Sequence, residues 1–380
     1  MTEKQIDELA LRGNLKRLHD LELSILKPPE SSKRFSLNAN DSLMQACFDG
    51  NIASVRKACL RGADICHMSK CKNRLLHGHY PITVASQQGH KEVVKMLLEE
   101  YNVNAEAETP DGWTALLFAC KEGHKETVKI LLGHIKNVTS VLHQNACGKT
   151  PLMWAAWNGR LEIVDQLLRK GASMEVKTRS GGTALHLAVS RGHDHVLQLL
   201  LSRGADIRHK NRSGQNVLIV ASEYGFQQSA KLAHQAFIKQ EDPLEKSIQE
   251  SRGEYILPVN LVDNDGNTGL HLAARHGRHT VAKMLINYGI DINLRNYEGQ
   301  TALIIAAKHG HANLIRYFLD CHANVDILCS RGWSALMWAC AEKQIQAARL
   351  LNPDNVEASK RIANLRRARR EDSIDAFDQI

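Results

Sequence analysis

Several things are scarce in this sequence, and each scarcity excludes something. Prolines number eight in 380 residues, and no Pro/Gly/Ser tract marks a linker. Aromatic residues make up 5%, which argues against an aromatic-rich platform for sugars or nucleic acid. No apolar run approaches the ~18 residues that a membrane-spanning helix needs. The first residues, Met1-Thr2-Glu3-Lys4-Gln5, lack the apolar core of a signal peptide. The nine cysteines are odd in number and irregularly spaced, unlike a disulfide framework. The expectation is a cytoplasmic protein with reduced thiols. Charge of one sign is only mildly in excess, with 49 Lys+Arg against 41 Asp+Glu and a net +8, which does not by itself specify nucleic acid. What is present is a 43% hydrophobic share, enough to fold. The length allows either two or three domains or one elongated array.

Internal repetition decides for the array. Gly182-Thr183-Ala184-Leu185-His186-Leu187-Ala188 is followed by Gly192 and then Gly204-Ala205-Asp206, and a similar block returns from Gly266 to Asp291. With each unit anchored on its threonine position, the anchors are Lys4, Asp41, Tyr80, Thr114, Thr150, Thr183, Asn216, Thr268, Thr301 and Ser334. The steps between them are 37, 39, 34, 36, 33, 33, 52, 33 and 33 residues. A glycine lies nine positions after every anchor except the last, where Lys343 stands. The residue types predict one helix-turn-helix per unit. The Thr183 hydroxyl caps the first helix by taking an otherwise unpaired amide. Leu185, Ala188 and Val189 form its apolar stripe. Gly192 ends it in the left-handed conformation that costs least without a Cβ. Val196, Leu199 and Leu200 give the second helix its apolar face. One unit cannot bury that face alone, but stacked units share a continuous core.

The pattern resembles the ankyrin repeat family across roughly residues 4–351, on the strength of Thr150-Pro151-Leu152, Thr183-Ala184-Leu185-His186, Thr268-Gly269-Leu270-His271 and the glycines in register. The resemblance implies an all-α solenoid of helix-turn-helix units with β-hairpin fingers, about ten units including degenerate caps. Five segments are expected: a degenerate capping repeat and linker at 1–37, repeats at 38–238, an insertion or long finger at 239–260, repeats at 261–351, and a charged tail at 352–380. The resemblance also makes the histidines at repeat positions structural.

Departures from the period mark loops. The step of 52 places extra residues around Asp242-Pro243, which reads as a docking finger, as a hinge in the solenoid, or as a tolerated surface insertion, the last being preferred. The step of 39 brings Cys66, Cys71, His77 and His79 together, residue types that bind zinc. Their spacing fits no common zinc finger, and an ordinary loop is the preferred reading, so no metal and no cofactor are expected. Gly148-Lys149-Thr150 is not a phosphate loop, because His143 stands where that loop needs its first glycine. No hydrolase, zinc-protease or kinase signature is present, and the repeats leave no room for a catalytic domain.

In ankyrin-like solenoids the finger tips and the concave face of the first helices carry recognition. The corresponding positions here hold Trp113, Lys121, Trp154, Trp157, Arg179, Arg191, Arg212, Tyr224, Arg275, His276, Tyr297, Lys308, Arg331 and Trp333. Tryptophan, tyrosine and arginine are enriched at interface hot spots. The competing reading is that these residues only pack adjacent fingers. Basic residues outnumber acidic ones in the set, which favours an acidic or phosphorylated partner segment. Nucleic acid is disfavoured, since the basic run Lys360–Arg370 is short and an acidic stretch follows it. That run also supports a nuclear reading, and Arg369-Arg370-Glu371-Asp372-Ser373 resembles a basophilic kinase site at Ser373. Asn293 resembles the turn asparagine that some ankyrin repeats present to an asparaginyl hydroxylase. The functional expectation is a monomeric, non-enzymatic scaffold that binds a partner protein. The alternatives are a substrate-receptor subunit of a ubiquitin ligase or kinase complex, or a regulatory fragment of a larger enzyme or channel.

Overall fold

The computed structural model describes residues 39–66, 68–69, 78–135, 138–240 and 257–352. The unit anchored on Lys4, Cys71 and His77 of the first loop, the centre of the insertion, and the tail with Lys360–Arg370 and Ser373 lie outside the described residues.

Among the described residues the chain forms nine helix pairs. The first, inner helices are Ala39–Asp49, Pro81–Gln88, Ala115–Glu122, Pro151–Trp157, Ala184–Ser190, Val217–Tyr224, Gly269–Arg275, Ala302–His309 and Ala335–Ala341. Their outer partners are Ile52–Leu60, Lys91–Glu99, Lys125–His134, Leu161–Arg169, Asp194–Ser202, Gln227–Lys239, His279–Asn287, Ala312–Asp320 and Ile345–Leu351. Each inner helix packs on the inner helix of the next unit more closely than the outer helices pack on one another. Small residues permit that approach: Ala119, Ala155, Ala188, Ala273 and Ala306 are fully buried between neighbours. The inner helices therefore form the more closely packed layer of the stack.

The anchors start the helices in two ways. Thr114, Thr150, Asn216, Thr301 and Ser334 each accept the amide three residues on, at 2.9–3.3 Å. At Thr183 and Thr268 the cap also runs through a histidine. Nδ1 of His186 and of His271 accepts the anchor's own N–H, at 3.4 and 3.1 Å, and lies 3.1 and 2.8 Å from the anchor's hydroxyl. Hydroxyl and ring thus form a capping box at each of these two helix starts, the threonine facing the third-position amide as its residue type suggests. An Nδ1 that accepts an amide is unprotonated, so Nε2 carries the hydrogen and donates it outward. His186 donates to the Gln215 carbonyl at 3.2 Å, and His271 to the Leu294 and Gln300 carbonyls at 3.1 Å. Each ring therefore caps its own helix and ties down the next finger. Burial, ahead of all other influences, pushes both rings down to about 4.

The period-nine glycines are required twice over. All eight within the described residues have φ between 68° and 94°. The residue that follows the next unit's glycine, or follows Lys343 in the last unit, lies directly over each one. A Cβ on Gly89 or Gly159 would lie 2.3 or 2.5 Å from the ring of His124 or His193. Those rings reach the carbonyls of Gln87 and Trp157 at 2.9 Å, while Arg160 reaches the Glu122 carbonyl in the same way. In the last unit Lys343 takes the left-handed conformation itself, with φ 60°.

The fingers carry no strand among the described residues. Each is a tight turn closed by two amide–carbonyl bonds, such as Asn211 to Gln215 and Gly214 to Asn211, both at 2.9 Å, and several are joined to a neighbour by one more, such as Arg212 to Ser180 at 3.0 Å. A single bond per seam is too short a run for a ladder. The 52-residue step does not open the stack. Asn264 N–H donates to the Ser213 carbonyl at 3.0 Å across it, and the Arg278 side chain lies over Gly225 as Arg160 does over Gly123.

Candidate docking site on the inner helices

Two positions per unit build the site: the residue just before the anchor, at the finger's exit, and the residue four after it, on the first turn of the inner helix. In three units the two side chains are in contact. Trp113 stacks on Phe118 at 4.8 Å between ring centres and 20° between planes. Trp333 meets Trp338 at 4.9 Å in the last unit. In the unit between Thr150 and Thr183, Lys149 occupies the first position, with its ammonium 4.4 Å from the centre of Trp154.

Across units these pairs form a row. His79 lies 5.1 Å from Phe118, and Trp113 lies 5.1 Å from Trp154. Three cations cover the row. Lys121 is 5.6 Å from Trp113 and 5.9 Å from Trp154. Lys149 sits between Trp154 and Trp157, 4.6 Å from the latter. The Arg191 guanidinium lies 3.9 Å over Trp157. Such contacts contribute about 0.5–2 kcal/mol each, depending on desolvation. They also hold long side chains in place before any ligand arrives. Ordering a free lysine or arginine costs up to ~2 kcal/mol, and part of that loss is already present in the unbound protein. Glu122 pairs with Lys121 at 3.5 Å.

A second, smaller cluster lies at the far end of the described stack. Lys308 is 4.5 Å and Arg331 5.9 Å from the centre of Trp338. Between the clusters lie Arg275, His276 and His309. Burial, then the neighbouring Arg278 and Arg275, push His276 below the ordinary imidazole range; burial, His311 and Lys308 do the same to His309. Both rings are neutral at pH 7, and the fixed positive charge there belongs to Arg275, Arg278 and Lys308. Glu223 sits in the same row. Burial raises its carboxyl, which accepts from Gln215 Nε2 at 2.9 Å and lies 3.9 Å from His276 Nε2.

The remaining candidate residues are dispersed. Arg179, Arg212 and Tyr297 are exposed at finger tips, each laid over the glycine of the preceding finger, Gly148, Gly181 and Gly266. Tyr224 is half-buried and stacks on Phe226 at 6.3 Å. Packing and display are thus combined in one side chain, not alternatives. Asn293 is half-buried, and its Oδ1 accepts the Asn324 amide at 2.9 Å, joining two units. Cys66 is exposed, His79 belongs to the aromatic row, and no group of three metal-ligating side chains gathers among the described residues. Sequence reasoning passed over Phe118 and Trp338, which look like ordinary core at four past the anchor. The aromatic at their neighbouring finger-exit position was the available signal.

Among the described residues, no helix is long and apolar enough to cross a membrane. A family model described as ankyrin repeats (3 copies) matches residues 43–141, 84–178, 134–211, 152–242, 185–296 and 291–362, windows that together run without a gap from 43 to 362.

Proposed function

The chain belongs to the ankyrin repeat family, whose repeats are in general protein–protein interaction modules, and on that premise we propose that it is a monomeric, non-enzymatic scaffold docking a partner protein on its concave face. The observation that carries this reading is the row Trp113–Trp154–Trp157 with Lys121, Lys149 and Arg191 laid over it. Tryptophan supplies contact area at small entropic cost, and the pre-ordered cations select a negatively charged segment, carboxylate-rich or phosphorylated. The exposed finger tips Arg179, Arg212 and Tyr297 extend the surface.

The test is charge reversal at Lys149→Glu, Arg191→Glu and Lys308→Glu together. Partners captured from cells by the wild type are compared quantitatively with those captured by the variant. The expected result is a loss of about tenfold or more for the specific partner, with an unchanged helical circular dichroism spectrum. Equal capture by both proteins contradicts the reading.

A further inference from the structure

The outer helices divide into two electrostatic halves. In the first half they are laced by ion pairs: Arg56 with Glu100 at 2.7 Å, Lys125 with Glu162 at 3.0 Å, and Asp165 with both Arg169 and Arg203. In the second half the acids disappear. Gln227–Lys239 and His279–Asn287 contain no aspartate or glutamate, but carry Lys231, Lys239, His279 and Lys283. Ala312–Asp320 adds Arg316, and its only acid is its last residue, Asp320. Asp194, on the helix preceding this stretch, accepts the Ser229 hydroxyl.

A groove of about 510 Å³ runs between Gln227–Lys239 and His279–Asn287. Its walls include Lys231, His279, Lys283 and Asn287, and its apolar side is formed by Met284 and Tyr288. Tyr288 is held in place by His234, stacked at 4.1 Å. Lys231 and Lys283 are both exposed, and among the described residues no acidic side chain lines the groove. The same seam is where the repeat period lengthens to 52 residues.

We propose that this groove is a second docking site, separate from the inner-helix platform, for an acidic amphipathic segment of a partner protein. Apolar side chains of that segment lie on Met284 and Tyr288, and its carboxylates meet Lys231 and Lys283. Charge complementarity selects the acid, and the apolar lining selects a polypeptide. A phosphate backbone would gain nothing from Met284, and a lipid surface would engage the whole outer face instead of a cleft.

The probe is a fluorescein-labelled helical peptide with leucine on one face and glutamate on the other, titrated by anisotropy into the full chain. Binding is expected to weaken about tenfold or more in Lys231→Glu/Lys283→Glu and to stay unchanged in Lys149→Glu/Arg191→Glu. Both changes are at surface positions, and circular dichroism checks that the helices are retained. Absence of peptide binding overturns the proposal, as does binding that falls only in the Lys149/Arg191 variant. It is equally overturned if the peptide fails while a single-stranded oligonucleotide, or vesicles containing phosphatidylserine, bind in a Lys231- and Lys283-dependent way. The two sites stay distinguishable: loss in Lys231→Glu/Lys283→Glu reads the groove, and loss in Lys149→Glu/Arg191→Glu reads the inner-helix platform.

Discussion

Gly159→Ala is expected to cost about 2–5 kcal/mol of stability, although it adds a single methyl group. An alanine forced into the left-handed region costs about 1–2 kcal/mol. The new Cβ would also stand 2.5 Å from the His193 ring, which must move and give up its 2.9 Å bond to the Trp157 carbonyl. A donor displaced from its acceptor in a half-buried seam adds about 1–3 kcal/mol. Gly204→Ala isolates the two contributions. Gly204 has the same sign of φ, at 86°, but nothing lies within 4 Å of its Cβ position, so only the backbone cost of about 1–2 kcal/mol applies. Lys343→Gly relieves a left-handed residue and should stabilise by about 1 kcal/mol. Urea melts of the three variants check the account. Because such seams are part of what couples neighbouring units, Gly159→Ala should also broaden the transition. A Gly159→Ala cost no larger than that of Gly204→Ala would remove the ring-over-glycine seam from the explanation of stability.

Acid is expected to destabilise the array through His186 and His271 well before its carboxylates protonate. An unfolded histidine titrates near 6.5, while burial holds both folded rings down to about 4. Between those values the unfolded chain binds protons that the folded chain refuses, so stability falls as pH falls. The contribution is fully present above pH ~6.5 and is lost progressively toward pH ~4. Each ring accounts for about 3 kcal/mol across that window, a large share of an ordinary domain's stability. Protonation of Nδ1 would also turn the acceptor for the Thr183 or Thr268 amide into a second donor facing it. The check is a series of urea melts from pH 7.5 to 4 on the wild type and on His186→Gln/His271→Gln. Glutamine at the third helical position still accepts the anchor amide but does not titrate. The double variant should start less stable at pH 7.5 and lose much less between pH 6.5 and 4. Parallel curves for the two proteins would show that other groups govern the acid response.

The helices were legible in the sequence because the unit is local. Anchor, alanine, left-handed glycine and the leucines of the second helix lie close together, and one helix turn brings them into contact. Eight of the nine inner helices begin within one residue of the anchor that marks them; only Ala39–Asp49 starts earlier, two residues before Asp41. What joins one unit to the next was not legible. That His193 covers Gly159 and bonds Trp157, or that His186 serves Gln215, depends on the register between units, which no single block of residues encodes. The candidate site was legible to a similar extent. Trp113, Trp154 and Trp157 stood out as recognition positions. Lys149 gains its meaning only when stacking places its ammonium between two indoles from its own unit. Phe118 and Trp338 pass for core until the neighbouring finger exit brings a second aromatic against them. The expected β-hairpins did not form strands among the described residues, because one backbone bond per finger seam leaves no ladder to build. The groove beside Lys231 and Lys283 was invisible to repeat alignment for the opposite reason: it arises where outer helices lack acids, and an alignment scores what recurs.

The most direct test of the central claim is hydroxyl-radical footprinting of the chain alone and in complex with the partner it captures, read at tryptophan and tyrosine. Partner docking on the concave face predicts that Trp113 and Trp157, both half-buried in the free chain, lose reactivity on binding. Tyr317, on the outer side beneath Lys283, should keep its reactivity if the inner-helix platform alone is engaged. Unchanged oxidation of Trp113 and Trp157 in a stoichiometric complex would contradict the claim.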